Sequence, residues 1–203
     1  MYTDQENVFY YVTVMNENYP HPPMPENARE GILQGMYRLH RAPKGRKAVP
    51  RVQLFGSGTI LRESMAAAEM LEQDFGVLAD LWSVTSYNEL ARQGREAVRW
   101  NRLHPEAAAR PVYVSEQLAD AEGPSIAASD YNQAYADQIR EFVSGRRYVV
   151  LGTDGYGRSG TREQLRRFFE VDRYQIAMTA LSALADENAL PRSTVSDLSL
   201  IHI

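Results

Sequence analysis

Cysteine is absent from the 203 residues, which excludes a disulfide framework, a thiolate nucleophile and a zinc site built on thiolates. The chain also lacks an apolar run of the roughly 20 residues that a membrane-spanning helix needs. Its first seven residues are polar and do not resemble a signal peptide. We therefore predict a cytoplasmic protein that is not attached to a membrane.

The chain also has no excess of positive charge. The 22 Lys and Arg residues are outnumbered by 26 Asp and Glu residues, and the formal net charge is −4. Such a balance disfavours nucleic acid and anionic membranes as partners. Apolar residues (44%) and charged residues (24%) occur at the levels of a soluble globular domain, so we expect small molecules or proteins as partners.

The first fifty residues differ in composition from the rest. Residues 8–15 are β-branched and aromatic, which predicts a strand covered on both faces. Four prolines within residues 20–25 end this strand and predict a rigid linker. Apolar spacing then predicts a helix over residues 26–39, followed by a basic loop over 42–50. We expect three parts: residues 1–19 as the end of another domain, 20–50 as a linker with a helix, and 51–203 as the main domain.

Strand and helix patterns alternate from residue 50 onwards, which indicates a three-layer α/β domain. The predicted strands cover residues 52–55, 79–85, 126–128 and 148–151. The predicted helices cover residues 59–75, 89–100, 131–142, 161–169 and 173–187.

Gly56-Ser57-Gly58 lies between a predicted strand and a predicted helix, where backbone N–H groups can bind phosphate. The dinucleotide fingerprint needs a third glycine where this chain has Leu61, and it needs an acidic residue after the next strand, which is also missing. We interpret the motif as a tight turn before a helix. Nucleotide binding stays open as a weaker alternative.

Histidines and carboxylates do not assemble into a recognisable catalytic constellation. The four histidines, His21, His40, His104 and His202, show no metal-ligand spacing. His104 lies in a loop before a proline and is the one histidine that we consider for a place in a cleft.

The turn over residues 152–160 has the highest local density of candidate functional side chains. It places Asp154, Tyr156, Arg158 and Ser159 among three glycines, directly after a predicted strand. Parallel α/β sheets bind ligands and partners at this end of their strands. The alternative is that Arg158 pairs with Asp154 and only stiffens the turn, while Ser159 or a neighbouring threonine caps the next helix.

Several motifs in the same order resemble one family, the C-terminal part of the homodimeric pyruvate dehydrogenase E1 component, and more broadly the transketolase superfamily. The resemblance covers about residues 5–190. The motifs are Asn7-Val8-Phe9-Tyr10-Tyr11, Met15-Asn16-Glu17-Asn18-Tyr19, Leu54-Phe55-Gly56-Ser57-Gly58, Ser83-Val84-Thr85-Ser86-Tyr87-Asn88-Glu89-Leu90-Ala91, Arg99-Trp100-Asn101-Arg102-Leu103-His104-Pro105 and Leu151-Gly152-Thr153-Asp154-Gly155-Tyr156-Gly157-Arg158-Ser159.

This resemblance implies that residues 8–15 are the last strand of a pyrimidine-binding domain and that the main domain is a transketolase C-terminal-like scaffold and subunit interface. It implies a full enzyme that decarboxylates pyruvate with thiamine diphosphate and Mg²⁺ and reductively acetylates the lipoyl group of the acetyltransferase E2. The Gly-Asp-Gly motif that marks the cofactor site in this family does not occur in the sequence. We therefore expect a homodimeric enzyme whose catalytic, cofactor and metal residues lie upstream, and an inactive isolated chain.

Eight residues are candidates for the active-site approach or for an interface: Asn16, Glu17, Asn18, His104, Asp154, Tyr156, Arg158 and Ser159. Residues 199–203 depart from the family pattern, so we expect the native C-terminus to be absent or replaced there. Two alternatives stay open, a stand-alone interaction or regulatory α/β domain and a fragment of another transketolase-like enzyme.

Overall fold

The structure is a computed structural model that describes residues 2–10, 12, 14, 17–43 and 49–202, without the side chains of 200–202. Five strands in these residues form one sheet in the order β1-β3-β2-β4-β5. The strands are β1 (Met36–His40), β2 (Arg51–Gly56), β3 (Leu78–Val84), β4 (Ser125–Ala128) and β5 (Tyr148–Leu151). β1 is antiparallel to β3, and the other pairs are parallel.

The first described helix precedes β1, and the others follow β2, β3, β4 and β5. The helices are α1 (Ala28–Gln34), α2 (Leu61–Phe75), α3 (Tyr87–Leu103), α4 (Tyr113–Gln117), α5 (Gln133–Asp137), α6 (Arg162–Phe168), α7 (Arg173–Asp186) and α8 (Ser193–His202). Short 3-10 turns cover Gly58–Ile60 and Arg140–Phe142. None of the helices in the described ranges has the length and apolar character needed to cross a membrane.

Side chains at the helix starts explain three of the boundaries. Ser86 accepts a hydrogen bond from the Glu89 backbone N–H and begins α3. Thr161 and Gln164 form a reciprocal capping box at α6, and Asp172 caps α7. These caps satisfy backbone N–H groups that have no partner within the helix.

Strand alternation divides the core into two layers of side chains. Val52 and Leu54 point to the face covered by α2 and α7, where Leu181 is also fully buried. Phe55 and Trp82 point to the opposite face, which is covered by α3, α4 and α5. The three-layer α/β architecture predicted from the sequence is confirmed.

The helix predicted over residues 26–39 is wrong beyond Gln34. Gly35 has a φ of 107°, a left-handed conformation that ends α1. β1 then begins at once, with Met36 opposite Val84. The sheet thus starts inside residues 20–50, which the sequence predicts to be a linker, while the division into parts at residues 19 and 50 stays a prediction.

Two further helix predictions differ from the structure. The helix predicted over residues 131–142 is broken into α5 and a 3-10 turn. The last helix, α8, is not predicted at all, although it runs through most of the segment 199–203 that departs from the family pattern.

The strand predicted over residues 8–15 does not form in the described residues 8–10, 12 and 14; residues 11, 13 and 15 lie outside them. Phe9 and Val14 are 89% and 83% exposed. A strand needs a neighbour for its backbone hydrogen bonds, and none of the described strands pairs with this segment. The apolar side chains described in this segment, whose composition predicts a covered strand, are therefore exposed to solvent.

Candidate functional site at the carboxyl edge of the sheet

The carboxyl ends of β2 and β4 lie side by side at the centre of the sheet. The chain leaves β2 towards β3 on one side and later returns to form β4 on the other side. Open α/β sheets bind ligands at such a switch point, because the two connecting segments diverge and leave a crevice. Here the Ser57 N–H donates to the Ala128 carbonyl at 3.3 Å, and the Ser57 and Ser129 hydroxyls are 3.4 Å apart.

Asp130 connects the turns that follow β2, β4 and β5. Its Oδ2 accepts a hydrogen bond from the Thr59 hydroxyl at 3.1 Å. Its backbone carbonyl accepts one from the Thr153 hydroxyl at 2.7 Å, and the Thr153 N–H donates to the Tyr131 carbonyl at 2.9 Å. Three separate turns are thus held in one arrangement around an exposed carboxylate.

The Gly56–Gly58 turn does not have the surroundings of a phosphate site. Gly58 has a φ of 56°, and a Cβ there would lie 3.2 Å from Oδ1 of Asp130. A carboxylate at this distance repels an anion bound to the turn. The weaker alternative from the sequence, a nucleotide at this motif, therefore has an unfavourable electrostatic environment.

The 152–160 turn is open to solvent. Asp154 Oδ2 accepts a hydrogen bond from the Gln133 N–H at 3.3 Å. The Arg158 guanidinium lies 4.3 Å from the centre of the Phe168 ring, so it stacks on an aromatic side chain and does not pair with Asp154. Tyr156 is 96% exposed, and Ser159 is exposed as well. Thr161 caps α6, as one of the two sequence alternatives predicts.

Part of the N-terminal segment lies against this edge. A cavity of about 760 Å³ between them is lined by Glu17, Asn18 and Asp130, among others. Asn16 lies outside the described residues. The Glu17 carboxylate pairs with Arg162 of α6 and accepts a hydrogen bond from the Tyr19 hydroxyl.

The Tyr19 hydroxyl, and then the Arg162 guanidinium, hold the pKa of Glu17 below its ordinary value. Both contacts stabilise the charged carboxylate. This ionised group is therefore part of the cavity wall at neutral pH.

Beneath the edge, the carboxylate of Glu63 on α2 is buried and bound by two arginines. Arg166 donates to it at 2.9 Å, and Arg173 donates at 2.9 Å through Nε and at 3.1 Å through its backbone N–H. Burial raises the pKa of Glu63, but the hydrogen bonds and charges of Arg173 and Arg166 outweigh burial and lower the pKa overall. This ion pair cluster fixes α6 and α7 against α2.

His104 is far from the other candidates. It follows the last residue of α3, where its ring stacks on Trp100 at 4.5 Å and its Nδ1 lies 2.9 Å from the Trp100 carbonyl. α3 begins at the carboxyl edge and has 17 residues, so it extends about 25 Å away from that edge. Glu17 and Asn18 line one cavity at the carboxyl edge and Arg158 lines an adjoining one, and the two cavities share Thr59, Asp130 and Arg162. His104 lines neither of them.

The donor groups at this edge do not suit a magnesium diphosphate. Asp130 is engaged by Thr59, and Asp154 by a backbone N–H. In the described part of the chain, histidine and carboxylate side chains form no group of three or more that could hold a metal ion. The edge combines hydroxyls, carboxylates and one paired arginine, which suits recognition of a polar surface.

Comparison with known protein families identifies the fold. A family model described as the transketolase-like TK C-terminal domain matches residues 35–172. This chain belongs to that family. The match begins one residue before β1, so the transketolase-like C-terminal domain includes the antiparallel strand that the sequence does not predict.

Curated relatives of this transketolase-like domain are pyruvate dehydrogenase E1 components. The chain is 55% identical to the protein from Cupriavidus necator over 97% of its length, and 52% identical to that from Pseudomonas aeruginosa over the same share. It is 48% identical to the Escherichia coli K12 protein over 95% of its length. The chain spans only 21–22% of the length of these relatives.

Solved structures support the same fold at much lower identity. A mutant of transketolase from Pichia stipitis aligns with 85% of this chain and 21% of its own, with a TM-score of 0.56 and 16% identity. Transketolase from Leishmania mexicana aligns with 77% of this chain and 19% of its own, with a TM-score of 0.50 and 16% identity.

The sequence pattern does not single out Thr59, Asp130, Thr153 or Arg162, although the first three lie together at the edge. Asp130 follows a predicted strand by two residues, as Thr153 does, and this position is the signal that could have identified both. Arg162 has no such signal, because its partner Glu17 is 145 residues away in the sequence.

Proposed function

We propose that this chain is the C-terminal domain of a pyruvate dehydrogenase E1, an enzyme that decarboxylates pyruvate and reductively acetylates the lipoyl group of the acetyltransferase E2. The observation that carries the proposal is the 55% identity to such an E1 over 97% of the chain. The transketolases align at 16% identity, which supports a common fold and favours E1 over another transketolase-like enzyme.

Within that enzyme, we assign the domain a scaffold and interface role. Thiamine diphosphate supplies an electron sink for decarboxylation when it is bound with Mg²⁺. The residues at the carboxyl edge do not fit this group, because the Gly58 turn faces the Asp130 carboxylate. The cofactor site therefore belongs to the part of the enzyme outside this chain, and the isolated chain is inactive.

The exposed apolar side chains of the N-terminal segment support an interface role. Phe9, Val12 and Val14 are each more than 70% exposed, although they belong to a run with strand composition. Residues of this kind gain stability when a neighbouring strand covers them. We assign them to the contact with the upstream domain in a cytoplasmic homodimer that also binds E2.

A hybrid enzyme tests this function. The matching segment of the Escherichia coli E1, about a fifth of its length, is replaced by this chain. We expect a dimer that releases CO₂ from pyruvate in the presence of thiamine diphosphate and Mg²⁺. The control is the same E1 carrying the corresponding domain of a transketolase, which we expect to lose the activity.

Calorimetry separates the roles of the two parts. We expect the hybrid to bind thiamine diphosphate with Mg²⁺, and this chain alone to give no binding heat. A hybrid that is dimeric and binds the cofactor but does not turn over pyruvate contradicts the proposed function. Cofactor binding by the isolated chain contradicts the assignment of the cofactor site to the upstream part.

A further inference from the structure

Two arginines on α6 bind carboxylates in different parts of the molecule. Arg162 pairs with Glu17 of the N-terminal segment, and Arg166 pairs with Glu63 of α2. Residues four apart lie on the same face of a helix, so a single face of α6 contacts both the segment and the core.

The two pairs differ in burial. The Glu63 side chain is 7% exposed and is also bound by Arg173, whereas the Glu17 side chain is 50% exposed. The first pair is therefore an anchor for α6, since removing a partner from a buried ion pair is costly. The second is a weak surface contact whose strength depends on where α6 places Arg162.

α2 reaches the same segment through the residue next to the anchor. The Arg62 guanidinium lies 4.4 Å from the centre of the Tyr19 ring and donates to the Pro20 carbonyl at 3.4 Å. Residues 17–20 are thus held by side chains from two helices, and Glu63 fixes these two helices to each other through Arg166.

We propose that α6 couples the N-terminal segment to the domain core: the Arg166–Glu63 anchor sets the position of Arg162, and Arg162 in turn holds residues 17–20 at the carboxyl edge. Loss of the anchor on α6 therefore loosens the segment, although Arg166 forms its ion pair with Glu63 and acts on Glu17 only as a nearby charge. The coupling goes beyond the proposed function and does not rest on it, because it concerns contacts within this chain.

Two measurements on this 203-residue chain test the coupling: NMR relaxation, which gives backbone order parameters for residues 17–19, and hydrogen–deuterium exchange, which reports on the hydrogen-bonded amides of the helices. Arg162→Gln is expected to lower the order parameters of residues 17–19 towards the range of a flexible backbone, below about 0.6. Arg166→Gln is expected to lower them to a similar extent. Glu63 keeps Arg173 in this variant, so exchange in α7 should stay as in the unchanged chain.

The matched control is Arg92→Gln, which removes an exposed arginine that pairs with Glu89 and Glu96 on α3. It should leave the order parameters of residues 17–19 unchanged. If Arg166→Gln speeds exchange in α6 and leaves residues 17–19 as they were, the coupling is wrong.

A second variant keeps the test decisive if Arg166→Gln unfolds the chain. Coupling between two contacts is reciprocal, so Glu17→Gln, at an exposed position, should raise exchange in α6 about two-fold. Unchanged exchange in α6 with this variant overturns the proposal, whether or not the hybrid enzyme is active.

Discussion

The two ends of the sheet are built on different principles. Towards the amino ends of β2 and β3, three buried side chains are joined in a polar network. The Trp82 indole N–H donates to Gln53 at 2.9 Å, Gln53 donates to Asp80 at 3.2 Å, and Asp80 accepts the Ala42 N–H at 2.8 Å. At the carboxyl ends, the hydrogen bonds between turns are made by the hydroxyls of half-buried threonines and by the exposed Asp130.

Two turns show a similar contrast. A Cβ on Gly123, in the turn just before β4, would lie 1.8 Å from the Arg51 carbonyl, whereas Gly155 and Gly157 in the 152–160 turn have no atom within 4 Å of such a Cβ. Between these last two lies Tyr156, which is almost fully exposed. The turn before β4 is thus closely packed, and the 152–160 turn keeps side chains that stabilise little within this chain. This difference favours the 152–160 turn as the contact surface.

The largest effect is expected for Gly123→Ala. The new Cβ meets backbone at 1.8 Å and the φ of 78° is strained for alanine, so we expect a loss of about 3 kcal/mol or more in the free energy of unfolding. Urea unfolding followed by circular dichroism measures it. Gly157→Ala is the control and should change stability by less than about 0.5 kcal/mol. Equal stabilities of the two variants would remove the contrast between these two turns.

Glu63→Gln is expected to lower the free energy of unfolding by roughly 3 kcal/mol. It leaves Arg166 and Arg173 without a buried carboxylate, and breaking a buried ion pair has a cost of this order. The same urea experiment applies, with Glu96→Gln on the surface of α3 as the control. A cost below about 1 kcal/mol would mean that the cluster does not anchor the helices.

The stabilisation from Glu63 should depend on pH. The pKa of Glu63 is lower in the folded chain than its ordinary value of 4.5. Its contribution to the free energy of unfolding is therefore complete above about pH 4.5 and is lost as the pH falls through the pKa of the folded chain. We expect the difference in urea midpoint between the unchanged chain and Glu63→Gln to shrink from pH 5 to pH 3. A difference that stays constant over this range contradicts the assignment.

Trp82→Phe is expected to lower the free energy of unfolding by about 2 kcal/mol. The substitution leaves the buried Gln53 oxygen without its donor and removes part of a fully buried ring. Thermal unfolding measures the loss of stability, and near-ultraviolet circular dichroism reports on the packing of the aromatic side chains. Trp100→Phe, outside the sheet, is the comparison and should cost less.

The smallest effect on stability is expected at the carboxyl edge. Tyr156→Ala should change the free energy of unfolding by less than about 0.5 kcal/mol, because the side chain is 96% exposed. In the hybrid E1, the same variant should weaken the dimer or lower turnover, as measured by analytical ultracentrifugation and CO₂ release. If neither changes, this turn is not a contact surface in that enzyme.

The buried strands were the easiest part of the fold to predict. β5 was predicted with the bounds that the structure gives, because its apolar run has no polar interruption. β1 was missed, because its apolar spacing also fits a helix and its position at the edge of the sheet allows Arg38 and His40. The change from helix to strand depends on the conformation of Gly35, which sequence spacing does not encode.

The candidate site was predictable only where it follows a strand. The 152–160 turn was found in this way, and Asp130 was within reach of the same rule. The pairing of Glu17 with Arg162 was not, because it depends on how an irregular segment approaches a helix 145 residues later. Long-range contacts between polar side chains leave no periodic trace in a sequence.

The orientation of β1 decides where the upstream chain arrives. Since this strand runs antiparallel to β3, with which it pairs, its first residue, Met36, faces the last residue of β3, Val84. A first strand running the other way would bring the incoming polypeptide to the opposite rim of the sheet, where Gly123 lies. The reversal of a single five-residue strand therefore gives whatever precedes the domain direct access to the rim where Asp130 and the open turns lie.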